Sequence, residues 1–151
     1  MNLYAINLKK FKSIYIQIQA YNIVAVIGTY LLVATGFYIF PAYVNNNKFT
    51  LPVLFAIVVL GRFHTQYQRK QLEKLTAIED FDTRVKEYEK FYKIRMLWFL
   101  FTCLTSCLLS ILTGRYLFIY FGIFDIIITI SYYPKLSMFK RELKNDDIIF
   151  Y

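Results

Sequence analysis

The sequence predicts an all-α membrane protein with four transmembrane helices, a cytoplasmic helical hairpin between helices two and three, and both chain ends in the cytoplasm. Three observations predict this class. Of 151 residues, 58% are hydrophobic, whereas soluble domains are usually below half. The apolar residues are gathered into four segments, and the basic residues are distributed unevenly around those segments.

Four apolar segments are candidates for crossing a bilayer, which takes about 20 helical residues. The predicted spans are residues 20–43, 49–68, 95–114 and 116–133. The second has only a short apolar core before Arg62, so it crosses only if its helix continues through RFHTQYQ. An alternative for the first is a cleaved leader, because KKFK precedes it and Ala34 and Gly36 have the spacing of a cleavage site.

The orientation follows from the basic residues. Of the 18 lysines and arginines, only Lys48 and Arg115 lie in the two short loops predicted to be outside. The other 16 precede the first span, follow the last one, or lie between Arg62 and Arg95. This excess predicts a multi-pass protein of the cell membrane with both termini cytoplasmic. It also predicts contact with an anionic inner leaflet.

Residues 69–94 contain no Gly or Pro and are rich in Lys and Glu, which are helix formers. The stretch TAIEDFDT in their middle contains residues typical of helix N-caps. In the second half, four apolar residues recur at spacings of four, three and four: Phe81, Val85, Tyr88 and Tyr92. We therefore predict a helical hairpin whose arms extend spans two and three; the alternative is a solvated charged loop.

Both ends of the chain carry amphipathic patterns. Before the first span, apolar side chains on one face and lysines elsewhere are typical of a helix lying on an anionic leaflet, or of the start of the span itself. The tail, residues 135–151, places Leu136, Phe139 and Leu143 on one side and ends on four apolar residues. We expect this tail to dock on the hairpin, on the membrane surface or on a partner.

Asp125 is the one acid inside a predicted span. It lies nine residues into the fourth span, about 14 Å from the outer edge, where a charge costs about 2.5–3.5 kcal/mol. Arg62 lies at a depth of about 20 Å in the second span, so we predict an intramembrane pair of Asp125 with Arg62. Three roles remain open: a structural tie, a protonatable site on an ion or proton path, and a contact with a neighbouring subunit.

A polar stripe in the third span is a further candidate for contacts between helices. Thr102, Ser106 and Ser110 recur every four residues. Hydroxyl contacts between spans contribute about 0.6 kcal/mol each on average, so we expect this stripe to position helices rather than to drive assembly.

Motifs of catalysis and cofactor binding are absent from the sequence. There is one histidine, His64, and the sequence has no phosphate-binding Gly loop and no CxxC pair. We therefore predict no cofactor, no metal and no nucleic-acid partner. The sequence favours a non-enzymatic membrane subunit or adaptor that contacts a protein partner or its own copies through the hairpin and tail. The alternative is an oligomeric pore or ion- or proton-translocating protein using Asp125 and Arg62, and a membrane enzyme ranks third.

Overall fold

A computed structural model describes residues 4–40, 47–145 and 148–150. Within these residues the protein is all-α apart from two three-residue strands. The elements in chain order are β1 (Tyr4–Ile6), α1 (Leu8–Ala34), α2 (Asn47–Thr76), α3 (Phe81–Thr113), α4 (Tyr116–Ile130), α5 (Leu136–Leu143) and β2 (Ile148–Phe150).

Helix α1 is continuous from the N-terminal basic segment into the first apolar segment. The Asn7 side chain caps it by accepting a hydrogen bond from the Lys10 amide at 3.4 Å. The helix ends at Ala34, and Gly36 then adopts a positive φ of 80°, which glycine tolerates without steric cost. The observed helix therefore begins well before the predicted span of residues 20–43 and ends inside it. Of that span, residues 41–43 lie outside the described part of the chain.

Helix α2 continues through Arg62 and the polar stretch after it, the condition that the sequence set for a second span. A turn of four residues, 77–80, joins it to α3. Asp80, one of the expected cap residues, begins α3 by accepting a hydrogen bond from the Thr83 amide at 2.9 Å. The Thr83 hydroxyl donates to the same carboxylate oxygen. The two hydrogen bonds from Thr83 lower the pKa of Asp80. Helix α3 ends at Thr113, where Gly114 takes the left-handed conformation with φ 70°.

Three helices, α1, α2 and α3, are long and apolar enough to cross a membrane. Helix α4 has 15 residues, a length of about 22 Å. It is shorter than the predicted span of residues 116–133 because the chain turns at Ser131 and meets Pro134 soon afterwards.

Helices α1, α3 and α4 pack together, and α2 lies against them loosely. In its most apolar stretch α2 is 6% buried, compared with 33% for α1 and 39% for α3. Helix α2 touches the rest of the protein at separate levels: Thr50 accepts a hydrogen bond from Arg115, His64 stacks on Trp98 with ring centroids 4.3 Å apart, and Leu75 enters a core.

The largest core lies at one end of the molecule, which we call the base. The base is formed by β1, the start of α1, the facing ends of α2 and α3, α5 and β2. Phe139 is fully buried there, with its ring edge-on to Phe11 at 4.9 Å between centroids. Each such buried side chain stabilises the fold by about 1.5–3 kcal/mol. Strands β1 and β2 pair in parallel, Ile6 opposite Phe150, so the first and last described segments of the chain lie side by side.

Candidate functional site: a polar layer between three helices

Asp125 is partly buried on α4, and its carboxyl group lies near enough to the Thr102 hydroxyl of α3 for the two side chains to interact. The Thr102 hydroxyl oxygen also lies 3.1 Å from the Phe99 carbonyl oxygen. A hydroxyl group has one proton and can donate to one of these acceptors at a time. An ionised Asp125 can therefore accept a hydrogen bond from Thr102 only when Thr102 gives up its bond to Phe99, whereas a protonated Asp125 can donate to Thr102 while Thr102 donates to Phe99.

The predicted polar stripe of α3 faces the interior of the bundle. Ser106 and Ser110 are buried and Thr102 is partly buried. The Ser110 hydroxyl donates to the Arg115 carbonyl oxygen at 2.6 Å, which ties the end of α3 to the start of α4. Thr102 reaches Asp125. The stripe thus connects α3 to α4 at two levels.

Helix α1 contributes polar groups that the sequence analysis did not single out. The Gln19 side-chain nitrogen donates to the Thr129 hydroxyl of α4 and lies 3.4 Å from the Ile126 carbonyl oxygen. Thr129 in turn donates to that same carbonyl oxygen at 2.7 Å. Gln19 therefore links α1 to the turn of α4 that follows Asp125.

Asn22, one turn beyond Gln19, is the most unusual polar residue of this layer. It is 0% exposed, and neither its side-chain oxygen nor its side-chain nitrogen has a hydrogen-bond partner among the described residues. An unsatisfied buried polar group costs about 1–3 kcal/mol. A buried amide side chain that destabilises the fold in this way needs an explanation other than packing.

Small side chains allow the three helices to approach closely beside this layer. Gly122 of α4 faces Val26 of α1, and a Cβ placed on Gly122 would lie 3.1 Å from the nearest Val26 methyl carbon. The Cys103 sulfur of α3 lies 3.9 Å from the Gly122 carbonyl oxygen and 4.0 Å from that of Asn22. We use the name polar layer for Gln19, Asn22, Thr102, Asp125 and Thr129.

Arg62 does not belong to this layer. It is exposed on α2, and no ion pair formed within the described residues includes Arg62 or Asp125. The structure does not bring together the predicted pair of Asp125 with Arg62. Counting residues along the second and fourth spans placed Arg62 and Asp125 at similar depths. Such a count does not determine which helices are neighbours. Asp125 faces α3, and α2 packs on a different part of α3.

A second charged site, at the base, was missed by the sequence analysis. Arg95 of α3 is 1% exposed and pairs with Glu142 of α5, with a guanidinium nitrogen and a carboxylate oxygen 3.1 Å apart. The Tyr88 hydroxyl donates to the same carboxylate at 2.6 Å. Burial and the Glu142 charge raise the pKa of Tyr88 well above its usual value, so Tyr88 stays a neutral donor.

Aromatic rings complete the surroundings of Arg95. Its guanidinium carbon lies 4.5 Å from the ring centroid of Tyr132, 5.0 Å from that of Phe91 and 5.4 Å from that of Tyr92. A desolvated cation over aromatic faces gains about 2 kcal/mol. The signal for this site was in the sequence: Arg95 continues the spacing of the hairpin stripe three residues after Tyr92.

The polar layer can hydrogen-bond, exchange a proton at Asp125 and attract a cation. Within residues 4–40, 47–145 and 148–150, no three His, Cys, Asp or Glu side chains are grouped so that they could hold a metal ion. Comparison with known proteins gives no match to any protein-family model, curated protein or solved structure. The residues themselves therefore carry the functional argument.

Proposed function

We propose that this chain is a non-enzymatic subunit or adaptor of the cell membrane that binds another membrane protein, or a second copy of itself, through α2. In this proposal four helices cross the bilayer, counting the short α4, and the base faces the cytoplasm with both chain ends. Apart from Arg62, the 15 basic residues on the side of the base favour this orientation. The hairpin formed by the end of α2 and the start of α3 then projects into the cytoplasm.

The observation that carries the proposal is the weak packing of α2. Its most apolar stretch is 6% buried, and Phe55, Val58 and Phe63 are each about two-thirds exposed. Lipid satisfies apolar side chains as well as protein does, so exposure alone does not require a partner. A helix that touches its own bundle at only a few points is nevertheless free to pack elsewhere.

Arg62 favours protein rather than lipid as the neighbour of α2. It lies 15 residues after Asn47, about 22 Å along the helix, and it is exposed without an ion pair among the described residues. An ionisable side chain at membrane depth is usually paired or functional. A carboxylate on a partner helix would neutralise it.

The tail has a smaller role in this proposal than the sequence suggested. Helix α5 is buried against the chain's own base, with Phe139 and Leu143 both 0% exposed. A segment already docked in this way has to be released before it can bind a partner. The exposed parts of the hairpin and α2 remain for contacts between proteins.

Photo-crosslinking tests the proposal. A photoreactive amino acid in place of Phe55 on α2 should give a discrete protein adduct, whereas the same residue in place of Phe124 on α4, which is 56% exposed, should react with lipid. Mass analysis of the adduct then separates a second copy of this chain from a different protein. Lipid adducts alone at position 55, or equal protein adducts at both positions, would contradict the proposal.

A second candidate function is ion or proton translocation, and the polar layer favours it. Fully buried Asn22, with both amide atoms unpartnered among the described residues, lies on α1 beside the α4 turns that carry Asp125. Reconstitution in liposomes tests it: Asp125→Asn should abolish flux while leaving the protein folded. Absence of flux in the wild-type protein would exclude this function, and unchanged flux in Asp125→Asn would exclude a role for the carboxyl group.

A further inference from the structure

A groove lies between the start of α1 and the part of α3 near the base. None of the contacts described above gives this groove a role. Its volume is about 510 Å³. The side chains that matter for its chemistry are Lys9, Lys10, Ser13, Gln17, Glu89 and Lys93. Two helices thus supply three ammonium groups, one hydroxyl and one amide to a single concave surface.

The charges in this groove are not balanced. Lys10 and Glu89 neutralise each other, with nitrogen and oxygen 2.6 Å apart. Lys9 of α1 and Lys93 of α3 form no ion pair within the described part of the chain, and both are exposed. The groove therefore has an excess of two positive charges, contributed by opposite walls, and it favours an anion placed between them.

The position of the groove along the helices identifies the source of the anion. Lys93 lies two residues before Arg95, where the apolar part of α3 begins, and Ser13 and Gln17 lead from Lys9 toward the apolar part of α1. Ile14, which is partly buried, also lines the groove. Its lining thus includes apolar surface next to the charges, at the level that phospholipid headgroups occupy in the orientation proposed above.

We propose that this groove binds the phosphate of an anionic phospholipid headgroup from the leaflet on the side of the base. Basic pockets between helices on the cytoplasmic side are suited to such headgroups. Lys9 and Lys93 attract the phosphate from both sides, and Ser13 and Gln17 supply hydrogen-bond donors toward the glycerol. The Lys10–Glu89 pair bridges the two walls. This site is separate from α2, so it does not depend on the proposed protein partner.

Native mass spectrometry of the purified full-length chain with phosphatidylglycerol or phosphatidylcholine tests the site. The variant Lys9→Gln with Lys93→Gln is compared with Lys70→Gln with Lys74→Gln, which removes the same charge from exposed, ion-pair-free positions on α2. A lysine near an anionic lipid contributes about a fivefold gain in binding, so the groove variant should lose about thirtyfold. The wild-type chain and the α2 variant should both prefer phosphatidylglycerol.

Three results would overturn the inference. An equal loss in both double variants would mean that general charge attracts the lipid. A wild-type chain without preference for phosphatidylglycerol would remove the site altogether. Displacement of the lipid by millimolar inorganic phosphate would assign the groove to a soluble anion. Gel filtration of each variant keeps loss of binding distinct from loss of folding, and crosslinking at position 55 reports separately on the function of α2.

Discussion

The buried Arg95–Glu142 pair makes a strong prediction for the substitution Glu142→Gln. Both side chains are almost inaccessible, with 1% and 7% of their side-chain surfaces exposed. Removing one partner of a buried ion pair leaves the other charge uncompensated and costs about 3–5 kcal/mol. Glutamine can still accept the Tyr88 hydrogen bond, so we expect about 3 kcal/mol. Release of α5 from the base should become more favourable by roughly two orders of magnitude.

Amide hydrogen exchange in detergent micelles measures this release directly. Local opening free energies follow from the protection of the amides involved. The α5 amides, such as the Phe139 amide, which lies 3.3 Å from the Lys135 carbonyl oxygen, should lose about a hundredfold in protection. The amides in the middle of α3 should change little, because they stay in the helix when α5 leaves.

An exposed ion pair between a glutamate and a basic residue is the matched control. Glu87 and Lys90 on α3 approach even more closely, to 2.6 Å, but their side chains are 43% and 69% exposed. Such pairs contribute about 0–1 kcal/mol, so Glu87→Gln should leave α5 protection almost unchanged. The reasoning fails if Glu142→Gln and Glu87→Gln have the same small effect. It also fails if Arg95→Met combined with Glu142→Leu is as damaging as the sum of the two single changes, since a buried pair replaced by apolar groups should recover stability.

Two further substitutions test the packing. Gly122→Val should destabilise the bundle by about 1–3 kcal/mol, because the added carbon would meet the Val26 side chain at 3.1 Å. Gly28→Val should be nearly neutral, because a Cβ at Gly28 meets nothing within 4 Å. Thermal unfolding of both variants in detergent compares their stabilities. Phe139→Ala should cost about 3–5 kcal/mol of stability and expose the tail to protease. Leu136 is already 37% exposed, so Leu136→Ala should leave digestion of the tail unchanged. Equal digestion of the two variants would contradict the docking of α5.

The sequence predicted the helices better than it predicted their neighbours. The four-span prediction required α2 to continue past Arg62, and the observed helix does so. The start of α3 followed from the N-cap chemistry of Asp80. The end of α1 was placed too late because hydropathy continues to residue 44, whereas Gly36 ends the helix through its backbone conformation. Local chemistry decides such boundaries, and hydropathy does not report it.

Pairing between distant segments was the part that the sequence could not supply. Periodicity shows which side chains share a face, and it placed Phe139 and Leu143 together correctly on α5. It does not show which helix receives that face. The sequence analysis therefore did not single out Glu142, which lies beside Leu143 and reaches Arg95, 47 residues earlier in the chain.

The two charged sites differ in a way that follows from the cost of charge in lipid. The full ion pair, Arg95 with Glu142, lies at the start of the apolar part of α3, which in the proposed orientation is close to water and headgroups. Farther into the bundle, the described contacts between α1, α3 and α4 use amides and hydroxyls, as in the contact of Gln19 with Thr129, because neutral groups avoid most of the penalty for charge at mid-bilayer. Asp125 is the exception within this pattern, because its carboxyl group can ionise. The second candidate function would use this carboxyl group as a proton site, so comparing the folding and the liposome flux of Asp125→Asn with those of the wild type separates a structural tie from a proton site.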